Sequence, residues 1–264
     1  MRKYHLPILL FIIFPLLISC QNNNNNKSKS KSWMGVSLIV ADCQLCDMRY
    51  ADLTEKDIPH SDFQGSYLFS ANFSKANLTG SNFGSAVLIK AKFKRAILVN
   101  ANFMNANLSD AKMIGADLSD SNLINATFDN AVMQYAGLIN AQLTASSFIN
   151  TDLRDSTLKN VKARSAIFIN SVLTNSDIRW GDFEGANFSQ ADLENADLSM
   201  ANLSYANLKG ANLKNAKLFY TNLEGANLDG AILDGTIIVG ANMKRIDFQK
   251  VDLTRAKMNS VIRK

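Results

Sequence analysis

Histidine, cysteine and proline are scarce in this chain of 264 residues, which holds two, three and three of them respectively. Beyond residue 20 there remain one histidine, His60, and two cysteines, Cys43 and Cys46. A structural zinc site needs about four cysteine or histidine ligands, and a serine or cysteine nucleophile needs a neighbouring base. The composition therefore predicts a protein that is not an enzyme and that holds no cofactor and no metal.

Over most of the chain neither positive nor negative charge is in excess. Residues 1–35 carry five Lys or Arg and no acid, whereas the rest carries 23 residues of each sign. A DNA-binding surface needs an excess of Lys and Arg, and a protein that imitates DNA needs an excess of acid. We therefore expect no nucleic-acid partner. A local cluster of Lys90, Lys92, Lys94 and Arg95 is sufficiently explained by solubility.

Only one long apolar run occurs, at residues 6–18, and it follows the basic residues Arg2 and Lys3. Its length as a helix would be about 20 Å, which is less than the hydrocarbon core of about 30 Å. The run therefore predicts a cleaved secretory signal over residues 1–19 rather than a transmembrane helix.

The run ends in Leu17, Ile18, Ser19 and Cys20, which resemble the lipobox of bacterial lipoproteins. The resemblance implies cleavage before Cys20 and acylation of its sulfur and amine, and so a lipid anchor in the cell envelope. Gln21 follows Cys20, and the absence of Asp there favours the outer membrane if the organism is Gram-negative. The remainder of residues 20–35 is Asn, Lys and Ser, which predicts a disordered tether.

From residue 38 to residue 258 the chain repeats with a period of five. Of 45 central positions, 43 hold Leu, Phe, Met or Ile, and Cys43 and Ala163 are the exceptions. Small residues dominate two positions before each centre. A helix repeats at 3.6 residues and a strand at two, so a period of five predicts short extended segments joined by corners. The centre and the small residue share one face of each segment and are expected to point inward.

Two residues after each centre, Gly, Asn and Asp fill about half of the positions. These residue types tolerate a positive φ, which a type II turn requires at its second central residue. The sequence therefore places a turn at each of these positions. His60, which follows Pro59, falls at such a corner.

The stretches 191–195, 196–200 and 201–205 show Ala, then Asp or Asn, then Leu and two variable residues. Over residues 36–260 this pattern resembles the pentapeptide-repeat family. The resemblance implies an all-β fold, a right-handed quadrilateral parallel β-helix with four pentapeptides per coil and about eleven coils. Residues 261–264 remain as a short basic tail. Phe and Leu alternate at the centres from residue 63 to residue 108, which predicts Phe on two opposite walls and Leu on the other two.

Cys43 and Cys46 are separated by two residues, a spacing that occurs in disulfides, in redox-active pairs and in one half of a metal site. The repeat places Cys43 at a central position and Cys46 at a small one, so both are explained as core residues. We expect buried thiols, with a disulfide between them as the alternative in an oxidising compartment.

Two sets of outward apolar residues recur at a spacing of twenty, so they should stack on one wall and at one corner of the coil. Exposed apolar clusters of this kind mark partner sites. We predict that both sets contact an unidentified protein or envelope partner; they are Tyr67, Phe69, Val87 and Ile89 on the wall, and Trp180, Met200 and Tyr220 at the corner.

Together these features predict a membrane-anchored, non-enzymatic structural scaffold or protein-binding module of the bacterial cell envelope. The alternative is a DNA-mimicking, topoisomerase-protecting protein, a role that some pentapeptide-repeat proteins have. The neutral body and the export signal argue against that alternative.

Overall fold

The structure is a computed structural model that describes residues 42–263. The predicted signal segment 1–19 and the predicted tether 20–35 with Cys20 lie outside the described residues. Residues 42–263 form no α-helix, and none of their segments is a candidate for crossing a membrane as a helix. The all-β expectation is thus confirmed for this part of the chain.

Each coil contains twenty residues. Parallel backbone bridges join the residue before a centre to the residue twenty positions later, as between Asp62 and Asn82 and between Tyr67 and Val87. The chain therefore winds as a right-handed parallel β-helix with four walls. Adjacent coils lie about 4.8 Å apart, which gives a rod about 50 Å long.

The four walls are named from one coil. Wall A holds residues 61–63, wall B residues 66–68, wall C residues 71–73 and wall D residues 76–78, and each wall continues at intervals of twenty residues. The two residues between successive walls form corners AB, BC, CD and DA. Walls A and C face each other across the interior, as do walls B and D.

Most corners are tight turns closed by a backbone hydrogen bond, such as that from Ser66 N to Phe63 O at 3.1 Å. Within residues 42–263 the second turn residue of nearly every corner has a positive φ, for example 65° at Gly65 and 58° at Trp180, and 33 of these residues are not glycine. A positive φ is unfavourable for a residue with a Cβ, but the stacked hydrogen bonds of the walls fix it. The predicted turn position is confirmed.

Both the central and the small positions fill the interior. Phe63, Phe83 and Phe103 stack on wall A with centroids 4.8–5.0 Å apart, and Phe73 and Phe93 stack on wall C at 4.9 Å. Rings of the two walls meet edge to face, as Phe63 and Phe73 do at 5.7 Å. The prediction of Phe on two opposite walls is confirmed.

The phenylalanine column moves to another wall further along the rod. Phe128, Phe148, Phe168 and Phe188 stack on wall B with centroids 4.7–4.9 Å apart and rings within 4° of parallel. Aromatic rings in register thus fill the interior of successive coils to the same extent, as close packing requires.

Serine and threonine at small positions are buried without loss of hydrogen bonds. The hydroxyl of Ser121 donates to Leu118 O at 2.6 Å, and that of Thr151 donates to Phe128 O at 2.8 Å. Every buried side-chain nitrogen or oxygen within residues 42–263 has a partner. Small polar residues therefore substitute for alanine in this core at little cost.

Ala163 is a small residue at a central position of wall A, and its coil remains regular. Its backbone N donates to Asp182 O at 2.7 Å, as in neighbouring coils. One coil later, the ring of Phe183 packs against Gly181, and a Cβ added to Gly181 would lie 2.2 Å from Cε2 of that ring. Gly181 does not have a positive φ, so glycine is required there for space.

The last coil departs from the repeat. Strand β1, Ile237–Val239, pairs in parallel with strand β2, Lys257–Asn259, so wall D continues. Wall A also continues, through the bridge from Asn242 to Ile262.

Walls B and C change in this coil. Ile246 occupies a position that small residues hold elsewhere, and the 3-10 helix Phe248–Lys250 follows it. Asp247 caps this helix by accepting a hydrogen bond from Gln249 N. Ile is larger than the Ala, Ser, Thr or Val that hold this position in most of the regular coils, which explains why the regular wall ends there.

We predict that Gly181→Ala lowers the free energy of unfolding by about 1–3 kcal/mol, because the new methyl group overpacks the ring of Phe183. Thermal and urea unfolding followed by circular dichroism measure the change. The double variant Gly181→Ala with Phe183→Leu removes the clashing ring and should recover part of the loss. Additive losses in the double variant would contradict this account.

Candidate binding surfaces

An Asp or Asn before a centre has a structural role, because its side chain forms hydrogen bonds within the wall. Asn82 Oδ1 accepts from Gly84 N at 3.1 Å and from Asn102 Nδ2 at 2.9 Å, and Asn82 Nδ2 donates to Asp62 Oδ1 at 3.1 Å. One side chain thus fixes the following turn and links the coils on either side. This explains physically why Asp and Asn recur at this position.

Several carboxylates are held in their ionised form by neighbouring arginines. Burial alone would raise the pKa of Asp177, but side-chain and backbone hydrogen bonds from Arg179 at 2.7–3.3 Å outweigh it and hold the pKa below its ordinary value. Such a group is a poor general acid near neutral pH. Within residues 42–263 no three His, Cys, Asp or Glu side chains are grouped to hold a metal ion.

His60 and Cys43 lie far from any arrangement that would activate them. His60 is exposed at corner DA with φ of 57°, and its ring leans over Gly80. Cys43 is a free, buried thiol, and its burial, followed by the charge of Asp42, raises its pKa. Because Cys43 is free, the alternative disulfide between Cys43 and Cys46 is not formed; Cys46 is also buried but is not a free thiol.

Three of the predicted contact residues come together at corner DA and are named the Trp180 corner: Trp180, Met200 and Tyr220. Their exposed fractions are 44%, 52% and 64%. Trp180 Nε1 donates to Met200 Sδ at 2.9 Å, and the Arg179 guanidinium lies 5.0 Å from the Trp180 ring centroid. The indole is therefore held between a thioether and a cation while part of its face stays open to solvent.

The other four predicted contact residues also come together and are named the Tyr67 wall: Tyr67, Phe69, Val87 and Ile89. Tyr67 and Val87 are bridged on wall B, and Tyr67 is 55% exposed. Phe69 and Ile89 occupy the first turn position of corner BC in the same two coils and are half-buried. The spacing of twenty thus predicted the grouping of these side chains correctly.

Two neighbours of the Tyr67 wall escaped the sequence analysis. Tyr50 meets Phe69 edge to face at 5.6 Å, and Lys90 Nζ lies 5.8 Å from the Phe69 ring centroid. Tyr50 lies at the second turn position of the preceding coil, where no apolar residue follows it twenty positions later. The contact runs diagonally across one corner, between residues nineteen apart, so counting by twenty does not reveal it.

Large corner side chains lean onto the next coil, where glycine makes room for them. A Cβ added to Gly225 would lie 2.8 Å from the ring of Tyr205, and one added to Gly240 would lie 2.6 Å from the ring of Tyr220. Gly230 also has a positive φ, yet no atom lies within 4 Å of its Cβ position. A large corner residue followed by glycine twenty positions later is therefore a sequence signal for such an overlay.

A sequence model described as pentapeptide repeats matches this chain in eight copies. The matched stretches are residues 46–84, 86–123, 111–148, 121–160, 137–175, 151–190, 182–219 and 196–235. A search of curated proteins finds no match to the chain.

Solved structures similar to this chain include HetL, a pentapeptide repeat protein involved in heterocyst differentiation regulation in the cyanobacterium Nostoc. It shares 28% identity, covers 77% of this chain and 90% of its own length, and gives a TM-score of 0.42. QnrB1, a plasmid-mediated fluoroquinolone resistance protein, shares 14% identity over 86% of this chain and 92% of its own length, with a TM-score of 0.38.

We predict that Gly230→Asn raises the free energy of unfolding by about 0.4–1 kcal/mol, because it restricts the unfolded chain and asparagine accepts the positive φ. The matched change Gly240→Asn should give no such gain, since its side chain must displace the ring of Tyr220. Thermal unfolding of the two variants gives the comparison. Equal effects at both positions would refute the role of Gly240 in seating Tyr220.

Proposed function

Because the chain belongs to the pentapeptide-repeat family, we propose that it is a non-enzymatic binding module held at a bacterial membrane by lipid on Cys20. The observation that carries the binding role is the Trp180 corner, an exposed apolar cluster on a rod whose other corners are mainly polar. Residues of this kind dominate the binding energy of protein interfaces. The partner proposed for this corner is a protein of the cell envelope.

The Trp180 corner suits binding because it is already ordered. Asp177 and Arg179 form a two-pronged ion pair beneath it, at 2.7 and 2.8 Å. Trp180 and Met200 are held by their mutual contact. A partner would therefore pay little ordering entropy on this side of the interface.

The proposed anchor rests on the resemblance of residues 17–20 to a lipobox. Several acyl chains on one residue hold a protein at a membrane far better than a single chain does. The predicted tether from residue 21 to residue 35 would reach at most about 50 Å when extended. The rod would thus have access to partners well away from its point of attachment. In a Gram-negative cell the proposed attachment is to the outer membrane.

The anchor is tested by labelling cells with a palmitate analogue and separating membranes from soluble protein. We expect the wild type to carry the label in the membrane fraction, whereas Cys20→Ala remains unlabelled and unprocessed. Cys43→Ser is the matched control and should keep the label, because Cys43 is a buried core residue. An unlabelled wild-type protein in the soluble fraction would sink the proposed anchor.

The partner surface is tested by crosslinking in the same intact cells. Trp180→Ala with Tyr220→Ser should abolish a crosslinked protein band that the wild type gives, because the open indole and phenol rings are lost. Tyr135→Ser is the control, since Tyr135 is as exposed as Tyr220, 63% against 64%, but lies at corner CD. If all bands survive the double change, the Trp180 corner is not the contact.

A further inference from the structure

In the second, third and fourth described coils the positive charge is confined to one side of the rod. Between residues 62 and 119 every Lys and Arg lies on wall C or on the two corners that border it. Of the acids in the same span, Asp62 lies on wall A, Asp117 on wall D and only Asp110 at corner BC. The six cations are Lys75, Lys90, Lys92, Lys94, Arg95 and Lys112.

Two of these lysines are stacked directly. Lys92 and Lys112 are bridged in parallel on wall C, so their side chains leave adjacent rungs about 4.8 Å apart. Like charges directly opposite each other destabilise a sheet. The nearest acids on wall C are Asp52 and Asp152, two coils away on either side. An anionic surface laid against wall C would relieve this repulsion.

The basic side adjoins the Tyr67 wall at corner BC. Phe69 and Ile89 point from this corner, and Lys90 Nζ lies over the Phe69 ring at 5.8 Å. Aromatic and aliphatic side chains thus lie along one side of the corner and ammonium groups along the other. We name this surface the basic–aromatic edge and define it by Tyr67, Phe69, Ile89, Lys90, Lys92 and Lys112.

We propose that the basic–aromatic edge lies against the anionic lipid headgroups of the membrane that holds the chain. Clustered lysines are attracted to anionic leaflets, and aromatic rings settle at the boundary between headgroups and acyl chains. Lysine stems pack along apolar surface while their ammonium groups reach the phosphates. The proposal rests on the proposed envelope location. The edge lies in the part of the rod that is nearest in sequence to the predicted tether, and so to the proposed lipid anchor.

This contact would orient the whole rod. Corner DA, which carries Trp180, Met200 and Tyr220, lies diagonally opposite corner BC across the square section. A rod that rests on corner BC therefore presents the Trp180 corner away from the lipid, towards a protein partner. A nucleic acid would also be attracted to the lysines. The aliphatic side chains of Val87 and Ile89 beside them, however, suit the boundary between headgroups and acyl chains better.

The test compares two tryptophan probes at equivalent positions on opposite corners of one coil. Ile89→Trp lies at corner BC and Val99→Trp at corner DA, and both are half-buried first turn residues. Each is made in the full chain with Trp33→Phe, Trp180→Phe and Cys20→Ala, so no acyl chain and no other indole contributes. The chain is mixed with vesicles of brominated phosphatidylcholine, with or without phosphatidylglycerol.

We expect bromine to quench the Ile89→Trp probe and shift its emission to the blue in the anionic vesicles, while the Val99→Trp probe stays unchanged. Lys92→Glu with Lys112→Glu should abolish the quenching. Lys162→Glu with Lys217→Glu alters net charge equally on walls A and D and should leave it intact. If the glutamate pair fails to fold by circular dichroism, Lys92→Gln with Lys112→Gln should still weaken the quenching.

Several results would overturn the proposal. Equal quenching of both probes would show that the edge has no preferred orientation to lipid, and quenching that survives charge reversal would remove the role of the lysines. Quenching of the Ile89→Trp probe by a single-stranded RNA oligonucleotide, with none by vesicles, would assign the edge to nucleic acid. Because Cys20 is replaced throughout, a failed palmitate-labelling experiment leaves this measurement unaffected, and the reverse also holds.

Discussion

The parallel bridge between residues twenty apart is the interaction on which the rest of this structure depends. It places each side chain directly over its counterpart in the coil before, about 4.8 Å away. Side chains twenty positions apart must therefore be compatible in size and charge. Inside, this demands constant volume, which the stacked rings of Phe63, Phe83 and Phe103 provide. Outside, it favours polar ladders such as Asp62, Asn82 and Asn102, in which each Asn amide donates to the side chain one coil earlier.

The same register explains how a regular rod acquires distinct surfaces. A repeat of five fixes which residues point outward, and a coil of twenty fixes which of them meet. Clusters therefore form wherever similar residues recur at twenty, as Trp180, Met200 and Tyr220 do at corner DA. Under the proposals above, two unlike clusters on diagonally opposite corners would let one rod contact a membrane and a protein partner together. That division of surfaces follows from stacking alone and requires no catalytic group.

Much of this could be predicted from the sequence, because stacking depends on residue spacing. The inward centres and the turn positions follow from the period of five. The opposite Phe walls and the meeting of Tyr67 with Val87 follow once the family resemblance supplies a coil of twenty residues. Diagonal contacts and side-chain rotamers cannot be predicted from residue spacing. Tyr50 reaches Phe69 across a corner, and the ring of Phe183 turns onto Gly181. The irregular last coil depends on how one bulky residue, Ile246, fits a narrow position.

The twenty-residue register is tested most directly by pyrene excimer emission from pairs of labelled cysteines on outward positions. Thr127 and Ser147 are bridged on wall B, whereas Thr157 lies on the opposite wall D. Pyrenes on Thr127→Cys and Ser147→Cys should stack on adjacent rungs and give strong excimer emission in the folded protein. Pyrenes on Thr127→Cys and Thr157→Cys should give monomer emission alone. Excimer emission from the second pair, or none from the first, would contradict the square coil and the surfaces derived from it.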